Sequence, residues 1–204
     1  MNGKIYRITE VVSGFFVLNL LWLVACLPVI TIFPATAAMF GVVREWSKDS
    51  GWSSVESFIR YFKANFLQSL LIGLLWTVFG AILLFDFYAA LQMDDWLQLT
   101  MFLLLGIGVL IYSLTSMYLF PVMVNYEASW QTVLRNAFLI AVSQLGKTFL
   151  CLVIVFFMLI LVLYLPVTLF FAGSVTAYLV YTVCRRGFDR IEALKGLSKT
   201  DDSL

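Results

Sequence analysis

The chain has 204 residues, of which 62% are hydrophobic and only 12% are charged, and its formal net charge is +1 with no histidine. This near-neutral balance gives no reason to expect nucleic acid or another acidic partner. The lack of histidine excludes His-based catalytic triads and His-bearing zinc sites. At this length we expect a single integral membrane domain, 1–204, without a separate soluble domain.

Long apolar runs separated by short charged stretches dominate the sequence. A bilayer core about 30 Å thick needs roughly 20 apolar residues per helix, and each run is close to that length. Because the runs are continuous rather than alternating, they predict helices and exclude a transmembrane β-barrel. The predicted transmembrane spans are 11–33, 66–91, 99–124, 147–165 and 167–184.

The first run, 11–33, follows Lys4 and Arg7, and residues 23–26 resemble a lipoprotein processing box. A cleaved signal should be followed by a polar mature start. Here residues 27–32 continue the apolar run, which favours a first transmembrane helix over a cleaved signal.

Two prolines and two threonines, Pro28, Thr31, Pro34 and Thr36, interrupt the end of this first run. Proline lacks an amide donor, and threonine hydroxyls can bond to the carbonyls that a proline leaves free. A structural hinge is the favoured interpretation, and a broken helix lining a transport site is the alternative. Earlier in the same run, Asn19 is expected to hydrogen-bond to another helix.

An amphipathic segment, 53–66, precedes the second run, and its Ser53 and Glu56 match a capping box. Such a helix lies in the membrane interface or docks a partner. A second segment of this kind is predicted at 129–138. Both are expected on the cytoplasmic side.

Asp86 is the one acidic side chain within the predicted spans. A carboxylate at the centre of a membrane helix costs about 2.5–3.5 kcal/mol on insertion scales, so such groups often have a function. Asp86 is therefore a candidate for ligand contact, ion coupling or partner recognition. Because it lies near the outer end of its helix, a structural hydrogen bond is the alternative.

Alternate connections between the predicted spans are basic, and basic connections favour the cytoplasm. These connections are 34–65, 125–147 and the tail 185–204. Five spans then predict a multi-pass protein of the cell membrane with a cytoplasmic C-terminus and the N-terminus outside. In a rival topology 11–46 dips into the membrane and returns, although 36 residues are slightly short for two full crossings.

A weak internal similarity favours five spans over the rival. In each half an apolar helix ends at a Phe-Pro pair (Phe33-Pro34 and Phe120-Pro121), and a basic stretch with an asparagine (Asn65 or Asn136) precedes another helix. The predicted fold is an all-α membrane protein. It is a five-helix transmembrane bundle with amphipathic cytoplasmic helices, made of two weakly repeated halves plus a last helix.

Short motifs along the whole chain resemble the YesL-like family of bacterial integral membrane proteins, a domain of unknown function. The motifs are Asn19-Leu20-Leu21-Trp22, Leu27-Pro28-Val29-Ile30-Thr31, Pro34-Ala35-Thr36-Ala37-Ala38, Phe62-Lys63-Ala64-Asn65-Phe66, Asp86, Tyr118-Leu119-Phe120-Pro121 and Leu134-Arg135-Asn136-Ala137-Phe138. Members of this family are often encoded beside carbohydrate ABC importers. The resemblance therefore implies an accessory role near sugar uptake, and it adds Asn65 and Pro121 to the candidate residues.

The leading functional prediction is a non-catalytic accessory protein that binds a sugar ABC-transporter permease within the lipid bilayer. The alternative is a small transporter or channel in its own right, acting as a homo-oligomer if one chain encloses no polar path. An enzyme ranks third, since Asp94 and Asp95 are predicted on the opposite membrane side from Glu127. No catalytic residue, metal site or cofactor is predicted.

Overall fold

The computed structural model describes the backbone of residues 2–48, 54–126 and 128–201, and the side chains of 9–48, 54–126 and 128–188. All regular structure in these ranges is helical. The helices are α1 (Asn2–Cys26), α2 (Ile32–Trp46), α3 (Val55–Ala90), α4 (Asp95–Asn125), α5 (Trp130–Ser143), α6 (Leu145–Tyr164) and α7 (Leu169–Asp201).

Six helical segments in the described ranges are long and apolar enough to cross a membrane. The exception is α5, which has 14 residues. The all-helical prediction is thereby confirmed, and these segments have the length and apolar content that the predicted multi-pass membrane protein requires. The number of such segments is one more than the five predicted spans, because α2 is a separate helix.

The first predicted span, 11–33, is not one helix. Helix α1 ends at Cys26, and the chain turns through Pro28 and a short 3-10 helix at Val29–Thr31 before α2 begins. Pro28 has an extended backbone, which its missing amide donor favours. The prolines and threonines therefore mark a turn between two helices rather than a hinge within one.

Helices α1 and α2 form an antiparallel hairpin. The Trp22 indole donates a hydrogen bond to the Thr36 hydroxyl at 3.2 Å. Further from the turn, the rings of Phe15 and Trp46 meet edge to face with centroids 5.2 Å apart. The N-terminal end of α1 thus points toward the same end of the bundle as the end of α2. A single crossing by 11–33, with chain ends on opposite sides, does not match this geometry.

Helix α2 lies at the centre of the bundle. In the segment Val29–Trp46, 56% of the residues are buried inside the protein. The corresponding share is 11% in the most apolar part of α3 and 6% in that of α4. Its small side chains Ala35, Ala37 and Ala38 are completely buried. Small residues let helix backbones approach closely, so α1, α3, α4 and α7 all pack against α2.

Helix α3 joins two features that the sequence predicted separately. The amphipathic segment 53–66 and the span 66–91 form one helix of 36 residues. Ser53 of the predicted capping box lies outside the described residues. Ser54, the residue before α3, donates its hydroxyl to the Gly14 carbonyl oxygen at 3.3 Å and so ties the start of α3 to α1.

Helices α3 and α4 form a second, longer hairpin. Trp76 stacks on Tyr112 with ring centroids 4.9 Å apart and donates its indole N–H to Ser116 at 2.8 Å. Gly73 lies beside Phe33 at the start of α2. Since α3 continues for 17 residues from Gly73 to Ala90, it extends about 25 Å beyond α2 at 1.5 Å per residue.

The last three helices close the other side of the bundle. Helix α6 ends at Tyr164, and a 3-10 turn at Pro166–Thr168 leads into α7, which continues into the predicted basic tail as far as Asp201. Cys151 and Cys184 are buried and carry free thiols, whereas Cys26 is half-buried; buried thiols of this kind pack as small apolar side chains.

The internal repeat stays a prediction. Phe33-Pro34 stands in the first turn of α2, whereas Phe120-Pro121 lies near the end of α4. The two Phe-Pro pairs therefore do not mark equivalent helix ends, although the Phe33 and Phe120 rings stack with centroids 6.5 Å apart.

We expect Gly73→Ala to destabilise the protein, because an added Cβ would overlap the Phe33 ring in the α2–α3 contact. Overpacking of this kind costs about 1–3 kcal/mol. Gly106→Ala is the matched control, since no atom lies within 4 Å of its added Cβ. Thermal unfolding in detergent should show a lower midpoint for Gly73→Ala alone, and equal midpoints would contradict the close packing of α3 on α2.

Candidate functional site

Asp86 lies on the part of the α3–α4 hairpin that extends beyond α2, which we call its outer part. It is four residues before Ala90, where α3 ends. Its side chain is exposed at the surface of the bundle. Within the described residues it has neither a hydrogen-bond partner nor an ion-pair partner. The structural hydrogen bond considered as the alternative is therefore not formed within this part of the chain.

The surroundings of Asp86 are apolar. It borders a shallow cavity of about 450 Å³ between α3 and α4. The other lining residues are Leu83, Ala89, Met93, Met101, Leu104 and Leu105. None of these side chains can donate a strong hydrogen bond, so the carboxylate is directed into an apolar surface without compensation.

Asn19 connects α1 to the start of α7. Its side-chain amide donates to the Leu169 carbonyl oxygen at 2.6 Å, and its carbonyl oxygen accepts the Ser174 backbone N–H at 3.1 Å. The Ser174 hydroxyl donates in turn to the Phe15 carbonyl oxygen at 2.9 Å. Asn19 is fully buried, and it forms the interhelical bonds that its position in an apolar run predicted.

The prolines and threonines of the α1–α2 turn form local bonds. The Thr31 hydroxyl lies 2.6 Å from the carbonyl oxygens of both Ala25 and Pro28. The Thr36 hydroxyl donates to the Ile32 carbonyl oxygen at 2.7 Å, while Pro34 is buried in the first turn of α2. These hydroxyls satisfy backbone carbonyls at a helix break, as the sequence predicted.

Asn65 and Pro121 lie toward the opposite end of the bundle from Asp86. Pro121 is buried within α4. Asn65 donates to the Tyr61 carbonyl oxygen at 3.1 Å and lines a polar cavity that also contains Arg44. The sequence-predicted residues are therefore distributed among three places: the outer hairpin, the α1–α2–α7 junction and the basic end.

Arg44 was not singled out from the sequence. It was counted among the basic residues of a connection, but it lies in the last turn of buried helix α2. The neighbouring Glu45 instead pairs with Arg60 at 2.7 Å, and this hydrogen bond and charge raise the pKa of Arg60. The available signal was that Arg44 follows eleven residues, 33–43, without a charge.

Among the described residues, no group of three or more Cys, Asp or Glu side chains is placed to hold a metal ion. Within the same part of the chain, the Asp86 carboxylate lies unpaired on an apolar face of the α3–α4 hairpin, and Arg44 lines a polar cavity with its Nε atom unpaired.

Comparisons with known proteins agree on one family. Residues 15–87 match the family model described as a protein of unknown function, DUF624. The uncharacterized protein YesL of Bacillus subtilis (strain 168) is 33% identical over 176 residues, covering 84% of this chain and 83% of YesL. The uncharacterized protein YteU of the same organism is 30% identical over 190 residues, covering 89% of this chain and 85% of YteU. No solved structure matches the chain.

Proposed function

The chain belongs to the YesL-like family of proteins of unknown function, DUF624, and we propose that it is a non-catalytic accessory subunit of a carbohydrate importer. In this proposal it binds a transmembrane helix of the importer's permease through the outer part of the α3–α4 hairpin. The observation that carries the proposal is Asp86, an exposed carboxylate on an apolar membrane face that has no partner among the described residues.

A carboxylate in this position is stabilised by an opposite charge supplied from another chain. Membrane-embedded acidic groups pair with basic groups or line water-filled paths, because an isolated charge in hydrocarbon is unfavourable. The occupant that fits is therefore a partner helix with a Lys or Arg at matching depth. The surrounding exposed apolar residues, such as Leu84 and Leu104, supply the van der Waals surface for helix packing.

The chemistry of a second membrane-level cavity favours an accessory role over sugar transport. This cavity, of about 480 Å³, lies between α1, α2, α4, α6 and α7 and is lined mostly by apolar side chains. Its hydroxyl groups on Thr36, Ser116 and Thr176 each donate to a carbonyl of their own helix. A sugar path needs hydrogen-bonding groups directed at the substrate, and these hydroxyls are already engaged.

The class of partner comes from the family resemblance, since relatives are often encoded beside sugar importers. The α3–α4 surface around Asp86 is proposed from the structure of this chain. Asn19, the α1–α2 turn and Pro121 have structural roles in this proposal: they hold the bundle that supports the α3–α4 hairpin.

We infer that the N-terminus, like the C-terminus, faces the cytoplasm of a cell-membrane protein. Because α1 and α2 form a hairpin, the start of α1 lies at the same end of the bundle as the end of α2. All 13 Lys and Arg residues of the chain then belong to that end. The outer parts of α3 and α4 and the turn between them carry the acids Asp86, Asp94 and Asp95 instead. The positive-inside rule favours the cytoplasm for the basic end, and Lys4 and Arg7 at the start of α1 agree with it.

This topology predicts where a membrane-impermeant maleimide reacts. In a background without the native cysteines, we expect Asn2→Cys to react only in inside-out vesicles, because the start of α1 lies at the basic end. Gln92→Cys, in the α3–α4 turn, is the matched control and should react in intact cells. Labelling of Asn2→Cys in intact cells would contradict the inferred orientation.

Replacing Asp86 tests the proposed partner contact. We expect Asp86→Leu to lower recovery of the importer permease in gentle co-purification from native membranes by roughly tenfold, or about 1.4 kcal/mol. Asp86→Glu should retain recovery because it keeps the charge. Since Asp86 has no partner among the described residues, Asp86→Leu should leave the thermal unfolding midpoint unchanged or slightly raised.

Phe85→Leu is the control for a general change to the hairpin surface, since Phe85 is adjacent and 71% exposed. It should leave permease recovery unchanged. Equal recovery of the permease with Asp86→Leu would contradict the proposed contact. Recovery of the protein alone, with sugar flux in reconstituted vesicles that depends on Asp86, would establish the transporter alternative.

A further inference from the structure

The basic end of the bundle contains a cavity that neither the family nor the proposed partner contact explains. It has a volume of about 530 Å³, within the range of small-molecule sites. Three elements form it: the end of α2, one face of α3, and the last turn of α4 with the start of the following loop. The lining residues are Arg44, Tyr61, Ala64, Asn65, Gln68, Met123, Val124, Asn125, Tyr126, Ala128 and Ser129.

Arg44 gives this cavity a positive charge that the described residues do not neutralise. Its Nε atom is buried and has no hydrogen-bond partner. The adjacent carboxylate of Glu45 is occupied by Arg60 at 2.7 Å. A buried N–H donor without an acceptor is unfavourable, so an anion that accepts from the Arg44 Nε atom would stabilise this half-buried side chain.

Neutral donors surround the charge. The side-chain amide of Asn65 donates one N–H to the Tyr61 carbonyl oxygen at 3.1 Å. The side-chain amide of Gln68 donates one N–H to the Ala128 carbonyl oxygen at 2.7 Å. Each amide nitrogen carries a second N–H that remains available. The spacing of Tyr61, Asn65 and Gln68 places them on one face of α3, which explains why they line the cavity together.

The last turn of α4 contributes a partial negative charge that opposes the positive charge of Arg44. Helix C-termini carry a partial negative charge of about half an elementary charge, and α4 ends at Asn125 beside the cavity. The Asn125 side-chain oxygen already accepts the Tyr181 hydroxyl at 3.4 Å. The full charge of Arg44 exceeds this partial charge, so the cavity has a net preference for anions.

We propose that this cavity binds a phosphate group, carried either by a soluble phosphate ester or by a lipid headgroup of the cytoplasmic leaflet. A phosphate offers several acceptor oxygens, which the guanidinium fork and the two amide N–H groups match together. The basic end of a membrane bundle lies at the depth where lipid phosphates and cytoplasmic solutes both have access. This site is independent of Asp86 and of the importer.

Full-length protein in dodecyl maltoside, free of added lipid, tests the proposal with two probes. These are inorganic phosphate and short-chain phosphatidylglycerol at equal phosphate concentration. We expect saturable binding, with the thermal unfolding midpoint raised by about 2–5 °C at ten times the dissociation constant. Stabilisation by inorganic phosphate identifies a soluble ester as the source, whereas stabilisation by phosphatidylglycerol alone identifies a headgroup.

Variants separate Arg44 from the other basic groups. Arg44→Gln should weaken binding at least tenfold, while Lys63→Gln, which changes an exposed cation outside the cavity, should leave it unchanged. If Arg44→Gln fails to fold, Ser129→Asp is the second test. It places a negative charge on the exposed cavity rim and should also weaken binding, with exposed Gln131→Asp as its control.

The proposal is overturned if neither probe binds saturably, or if both Arg44→Gln and Ser129→Asp bind as the wild type does. Glu127 adjoins the cavity residues Tyr126 and Ala128 in sequence and lies outside the described residues. If phosphate binds only after Glu127→Gln, the chain's own carboxylate occupies the cavity, and a phosphate ligand is excluded.

Discussion

The close packing of α2 at the centre of the bundle is the constraint on which the other helices depend. The helix has 15 residues, a length of about 22 Å, and together with the 3-10 turn before it the segment Val29–Trp46 is long enough to cross a membrane. The small side chains of Ala35, Ala37 and Ala38 let the neighbouring helices approach α2 closely. Gly73 of α3 has no Cβ atom, which would otherwise overlap the Phe33 ring.

This central hairpin determines what the rest of the molecule exposes. Because α1 and α2 turn back at Pro28, the basic ends of all the helices meet at one end of the bundle. Because α2 is short, the outer parts of α3 and α4 extend past it and keep an apolar surface around Asp86. The same geometry leaves the end of α2 beside the last turn of α4, where Arg44 and Asn65 enclose a polar cavity.

The sequence predicted the helical membrane class and most of the helix positions, because run length and apolar content decide both. The predicted spans 99–124 and 147–165 closely match α4 and α6. The span 11–33 is not one helix in the structure. A proline within an apolar run does not by itself distinguish a turn at Pro28 from a kink. Only the burial of α2 by distant helices makes that turn favourable, and burial is a long-range property.

The candidate residues show the same limit. Asn19 was predicted to bond between helices, because a buried amide in an apolar run needs a partner, but its partners Leu169 and Ser174 lie 150 residues or more along the chain. Arg44 was missed because charge counting treats it as a connection residue. Its cavity exists only when α2, α3 and α4 pack together, which no local pattern encodes.

The distance between spin labels on Val12→Cys and Lys48→Cys tests the central hairpin most directly, in lipid and without the native cysteines. Both positions are exposed, and the nearby rings of Phe15 and Trp46 lie 5.2 Å apart. The hairpin predicts a narrow distribution near 20 Å, the scale of two packed helix diameters. A distribution near 50 Å, as expected for a continuous helix over the intervening residues at 1.5 Å each, would contradict it.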